Sequence, residues 1–123
     1  MEDIWDTEKL YMHKWGKRYP SGFTKVLLKG FGLSSYSIEK EGRYSVGFST
    51  LSVIKTDKVI SHLDTPTYTK GKAIIGCWYD AATGFWYVEQ KRTFYTLAEA
   101  KDYAITQQLP VVWDELDKVW YFA

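Results

Sequence analysis

Few residues in this chain are of a type that does chemistry, and their spacing is the first thing to weigh. His62 and Asp64 stand two apart, so on an extended strand they would share a face and the carboxylate could orient the imidazole. A catalytic dyad needs a third group at a readable spacing, and none is present; a solvated polar turn accounts better for the pair. His13, between Met12 and Lys14, reads as a surface residue. Cys77 is the only cysteine, which rules out an intramolecular disulfide. A thiol turns nucleophilic when a nearby base or cation lowers its pKa. Cys77 instead lies in the apolar run AIIGCW and reads as a small buried hydrophobe. Asp80, Asp114, Glu115 and Asp117 could hold a divalent cation if two turns met in space, but acids in turns are explained more simply as acceptors for neighbouring amides. One cysteine and two histidines without ligand spacing leave no zinc site.

The glycine-rich stretches give no phosphate cradle. GFGLSS (30–35) and KGKAIIG (70–76) both lack the GxxxxGK[ST] spacing, and the first has no third glycine where a dinucleotide fingerprint needs one. The residues therefore predict no enzyme, no metal and no cofactor.

What remains is a basic and aromatic interval. No acidic residue occurs between Glu8 and Glu39, a span holding Lys9, Lys14, Lys17, Arg18, Lys25 and Lys29 interleaved with Tyr11, Trp15, Tyr19, Phe23, Phe31 and Tyr36. Lysine and arginine neutralise phosphates, and exposed rings stack on bases at about 1–3 kcal/mol each. Lys14, Trp15, Lys17, Arg18, Tyr19, Lys25 and Lys29 are thus the candidate residues for nucleic-acid binding. The competing arrangement has the rings packed inward while the basic heads stay in water. The first 62 residues carry a net charge of only +3, ten basic against seven acidic, which favours that arrangement.

These residues must be positioned by a chain of ordinary domain size. At 123 residues it predicts one domain, residues 1–123, able to bury about two-thirds of its unfolded surface. The start, MEDIWDTEKLYMHKW, has neither the basic opening nor the apolar run of a signal peptide, and no apolar stretch is long enough to span a bilayer. A cytoplasmic location is expected, the host cytosol if the chain is phage-encoded.

The pattern predicts an α+β fold in which an antiparallel sheet built from hairpins packs against one main helix. Thr7 and Glu8 can open a short N-terminal helix. FTKVLLK (23–29) reads as a strand. Hairpins are expected for 36–39 with 43–48 around Glu41-Gly42, and for 51–55 with 58–63 around Thr56-Asp57. A third joins 73–79 to 85–89 through DAATG, where Asp80 can accept from turn amides and Gly84 can take a left-handed position. The main helix falls at about 96–108, with Thr96 and Glu99 as a capping box, Leu97, Ala100 and Ala104 on one stripe, and Pro110 beyond the end. The segment PVVWDELDKVWYFA reads as a last hairpin turning in DELDK.

That last hairpin echoes the third at an offset of 34 residues: Asp80, Trp86 and Tyr87 match Asp114, Trp120 and Tyr121. A shared demand for flat, β-favouring residues explains the echo more simply than duplication. With 22 aromatics, more than one helix-backed face can absorb, some rings must meet a second layer, a second copy of the chain or a partner. Trp86, Tyr87, Trp120 and Tyr121 are the candidate protein-contacting residues, since Trp and Tyr dominate binding hot spots.

The unit TGFWYV followed by FYTLAEAKDYA, in pattern form FxTxxEAxxYA, resembles the strand and helix unit of small phage proteins. More distantly it resembles AP2-type DNA-binding domains and the arm-binding domains of tyrosine recombinases. The resemblance covers residues 76–104 and implies a phage or mobile-element origin. In AP2-like domains a three-stranded sheet backed by this helix enters the major groove and carries Arg and Trp. Here only Glu89 to Thr93 separate the second strand from Phe94, too few for a third strand, and the ribbon is poor in arginine. No DNA-reading residue is carried over. The expected function is therefore a non-enzymatic binding protein that occupies the surface of a host or defence macromolecule as an inhibitor does. Nucleic-acid binding through 9–36 is the alternative.

Overall fold

The computed structural model describes residues 22–55, 66–80 and 82–123; the expected N-terminal helix and the segment 58–63 lie outside them. In chain order the elements are β1 (Phe23–Leu28), β2 (Gly32–Ser35), α1 (Ile38–Glu41), β3 (Tyr44–Lys55), β4 (Lys72–Asp80), β5 (Phe85–Phe94), α2 (Leu97–Thr106), β6 (Val111–Asp114) and β7 (Val119–Phe122). The seven strands form one antiparallel sheet in the order β2-β1-β4-β5-β3-β6-β7. The class is α+β as expected, but strands dominate. Local hairpins account for only part of the sheet, because β4 pairs with β1 and β3 lies between β5 and β6.

Two expected hairpins are corrected. Residues 38–41 form α1 rather than a strand, because the Ser37 hydroxyl caps the turn by accepting from the Lys40 amide and the sequence IEKE suits a helix. Gly42 does take a positive φ of 117°, but it ends that helix; a side chain there would run into the Phe94 carbonyl. The partner of β1 is β2 instead, joined by a tight turn in which Phe31 N–H donates to the Leu28 carbonyl at 2.9 Å. Residues 51–55 are the end of a single twelve-residue β3, with register shifts at 47/49 and 50/52. The second shift inserts Leu51, which is buried in the core.

One sheet face carries two apolar clusters. Leu27, Leu51, Ala73, Ile75, Cys77, Trp86 and Val88 form the first, with Phe23, Leu33, Tyr68 and Tyr79 packed around them. Val46, Val112, Ala100 and Ala104 form the second, where α2 lies across the sheet. The two alanines are the smallest side chains that still present a carbon to the sheet, so the helix can sit close. The helix starts as expected: the Thr96 hydroxyl accepts from the Glu99 amide at 3.2 Å and bonds its carboxylate at 2.8 Å. It ends with Gln108 at φ 58° and a Leu109 N–H to Ala104 carbonyl bond of 2.8 Å, and Leu109 packs into the second cluster.

The β6–β7 hairpin joins the sheet through just two residue pairs, Tyr44 with Asp114 and Ser45 with Trp113. A salt bridge makes up the difference. Arg43 Nε and Nη2 donate to the fully buried Asp114 carboxylate at 3.0 and 2.8 Å, while Asp114 Oδ1 also accepts from the Leu116 and Asp117 amides. The arginine fork, followed by the two turn amides, holds the Asp114 carboxyl below its ordinary 3.8 against the opposing effect of burial. This stabilisation is complete above pH 3.8 and drains away as the pH falls through the lowered native value. Asp114→Ala leaves the one-third-exposed guanidinium with Asp117 alone, at 2.9 Å, and orphans both turn amides; it is expected to cost about 1–3 kcal/mol in urea unfolding at pH 7. The difference from wild type should shrink when the same measurement is made at pH 3.

Candidate functional site

Alternation along β5 sorts the candidate residues onto two faces. Trp86, Val88 and Gln90 point to the clustered face; Tyr87, Glu89, Lys91 and Thr93 point to the other, opposite α2. Trp86 is fully buried, with Tyr79 at 5.4 Å and Phe23 at 6.2 Å between ring centroids. Its Nε1 has no hydrogen-bond partner among the described residues. Tyr87 is half-buried and stacks on Trp78, with centroids 4.4 Å apart and planes at 14°. These neighbours in sequence therefore have different tasks: Trp86 is a core ring and Tyr87 lies on the face opposite α2.

The echo between the two hairpins is real in their turns. Asp80 accepts from the Ala82 amide at 3.0 Å and Asp114 from the Leu116 amide at 2.9 Å, and the turns close with Gly84 at φ 76° and Lys118 at φ 57°. Tyr79 faces Trp86 across the first hairpin as Trp113 faces Trp120 across the second. The sheet places the two pairs on opposite faces, because Trp113 is opposite Ser45, which is itself opposite Thr93. Trp120 consequently stays half exposed, 4.4 Å from Trp113. Tyr121 points the other way and packs on Tyr44 in the second cluster; burial, with Asp114 nearby, pushes its hydroxyl above the usual tyrosine range.

Between the stacked pair and Trp113 the face opposite α2 is polar. Glu115 Oε2 accepts from the Ser45 hydroxyl at 2.7 Å, the Thr24 hydroxyl at 2.9 Å and, more loosely, Lys91 Nζ at 3.4 Å. Lys91 Nζ also lies 5.9 Å from the Trp113 ring centroid. Gly76 and Gly47 make this arrangement possible, since a Cβ on the first would strike the Lys91 side chain and one on the second the Glu89 carboxylate. The network gives Trp113 and the turn a fixed floor. Each buried charge has a partner, and the arrangement has the character of a support.

The remaining candidates are scattered. Lys25 lies half-buried in β1, and Lys29 is exposed in the β1–β2 turn with Nζ 5.7 Å from the Tyr68 ring. Lys14, Trp15, Lys17, Arg18 and Tyr19, with His13, His62 and Asp64, lie outside the described residues. Cys77 is buried, and burial raises its thiol far above the nucleophilic range. Among the described residues no group of three His, Cys, Asp or Glu could hold a metal ion, and no helix is long and apolar enough to cross a membrane. Phe122, 83% exposed, and Leu116, 56% exposed, were not singled out by their sequence context; an alternating VWYF strand following a turn was the available signal. No protein-family model, curated protein or solved structure matches the chain.

Glu89 supplies a test of the face opposite α2. Burial pushes its carboxyl above the ordinary 4.5, opposed by Lys91. Its stabilisation is complete below pH 4.5 and is lost as the pH rises through the raised native value, where an ion must be kept in a poorly solvated place. Glu89→Gln cannot ionise and should match wild type at pH 4 but exceed it at pH 7.5 in urea midpoints.

Proposed function

We propose that this chain is a non-enzymatic binding protein that occupies the surface of another protein, as an inhibitor does, through its β6–β7 hairpin. The observation that carries this reading is an uncharged edge strand whose apolar side chains are exposed: Val119 42%, Trp120 50% and Phe122 83%, with Leu116 beside them at 56%. Edge strands are ordinarily protected by charge, proline or a bulge, and β7 has none of these between Val119 and Phe122.

The backbone of β7 suits a strand-shaped partner. Ala123 N–H donates to the Pro110 carbonyl at 3.0 Å, so by alternation Val119 and Tyr121 bond inward to β6 while the amides and carbonyls of Trp120 and Phe122 face outward. An extended apolar segment could add an eighth strand there, its backbone taking those groups and its side chains packing against Trp120 and Phe122. The likeness of residues 76–104 to small phage proteins supports, by analogy alone, a host or defence protein as the target.

The test compares capture from nuclease-treated and untreated host lysate by wild type and variants. The expected result is a protein retained after nuclease treatment and lost with Trp120→Ala/Phe122→Ala, while that double variant unfolds within about 1 kcal/mol of wild type. Phe122→Pro, which removes an outward amide as well as the ring, should bind more weakly than Phe122→Ala. Trp86→Ala serves as the core control and is expected to lose about 3–5 kcal/mol. Capture that disappears with nuclease would instead favour nucleic acid. A concentration-dependent dimer that the Trp120→Ala/Phe122→Ala change abolishes would make the occupant a second copy.

A further inference from the structure

A second site lies away from the hairpin, where β4 begins at Lys72 while β5 runs on to Phe94. The space left beside β5 is a cleft of about 630 Å³, walled by the 67–72 segment, Gln90, Arg92, Phe48 and the α2 residue Tyr103. That volume is within the range typical of small-molecule sites.

Its charge is unbalanced. Lys70, Lys72, Lys91 and Arg92 line it against a single carboxylate, Glu41; Lys72 Nζ already engages both oxygens of Glu41 at 2.7 and 2.9 Å, and Lys91 Nζ is committed to Glu115 at 3.4 Å. Arg92 and Lys70 have no carboxylate partner among the described residues. Arg92 is nonetheless held in place: its guanidinium carbon lies 5.0 Å from the Tyr103 ring centroid and 5.7 Å from that of Phe94. Attraction to the rings leaves this exposed guanidinium's five N–H donors free of them. The wall opposite is also braced, since the Gln90 side-chain amide accepts from the Thr67 amide at 2.8 Å and donates to the Thr67 carbonyl at 2.6 Å.

A guanidinium beside two rings, its donors unspent among the described residues, a second cation without a carboxylate partner among them, and aromatic walls fit an anion whose remainder is apolar or planar. We propose that this cleft binds a small phosphate ester of mononucleotide size, with Arg92 gripping the phosphate through paired N–H bonds, Lys70 adding charge, and Phe48 and Tyr103 flanking the organic part. The proposal is independent of the hairpin surface, and Trp120→Ala/Phe122→Ala should leave it unchanged.

The experiment is calorimetric titration of the full chain with AMP, inorganic phosphate and adenosine at low salt. The expected result is binding of AMP, weaker binding of phosphate, no binding of adenosine, and an AMP affinity that falls as salt is raised. Arg92→Gln should weaken AMP at least about tenfold, and Arg92→Lys nearly as much, because an ammonium keeps the charge but not the planar fork. Lys70→Gln should weaken it by less. Far-ultraviolet dichroism of each variant establishes that it is folded. No heat with AMP at millimolar concentration, equal binding of adenosine, or undiminished affinity in folded Arg92→Gln would each overturn the proposal.

Discussion

Much of the structure depends on the bond between Arg43 and Asp114. Arg43 stands immediately before β3 and Asp114 at the end of β6, so the fork fixes the outer hairpin at the point where the ladder between them is only two pairs long. Asp114 also nucleates its own turn, and the Glu115 N–H donates to the Arg43 carbonyl at 2.8 Å. One buried carboxylate thereby fixes strand pairing, turn geometry and the direction in which Glu115 leaves the turn.

That direction has consequences on the face opposite α2. Glu115 is delivered to Ser45, Thr24 and Lys91, residues from β3, β1 and β5, and so ties β1 to the β5–β3 pair across the intervening β4. The charged pair costs desolvation that its loose 3.4 Å contact does not repay alone; the two short hydroxyl bonds to the same oxygen offset part of it. Over this support sit Trp113 and the exposed Trp120. The rings on the face under α2 have a different setting, apolar and closed, which is why equivalent residues of two similar hairpins are a core ring in one and a surface ring in the other.

What could be read in the sequence was local. The Asp80–Gly84 turn, the cap and alanine stripe of α2, and the final hairpin all rest on interactions within a few residues, and each is found where its residues imply. The pairing of β1 with β4 and the placing of β3 between β5 and β6 depend on contacts far apart in the chain, which no short window encodes. A strand is expected at 36–39 but residues 38–41 are helical, because a glycine with positive φ serves a helix end as readily as a hairpin. Trp86 and Trp120 looked equivalent because side-chain alternation gives the two faces of a strand but not which face the neighbouring strands will close. Arg92, likewise, gave no signal until α2 brought Tyr103 alongside it.

The same clamp bears on how the chain reaches its native state. Seventy-one positions separate Arg43 from Asp114, and a loop of that length carries a closure entropy that its few contacts recover only when all of them form together. The pairing of β4 with β5 needs only a tight turn, whereas the outer edge of β3 must wait for a distant segment. Docking of the last hairpin pairs only Tyr44 and Ser45 on the outer edge of β3. Along the rest of that edge the two irregularities, at 47/49 and 50/52, interrupt the regular ladder that a second chain would need in order to pair there.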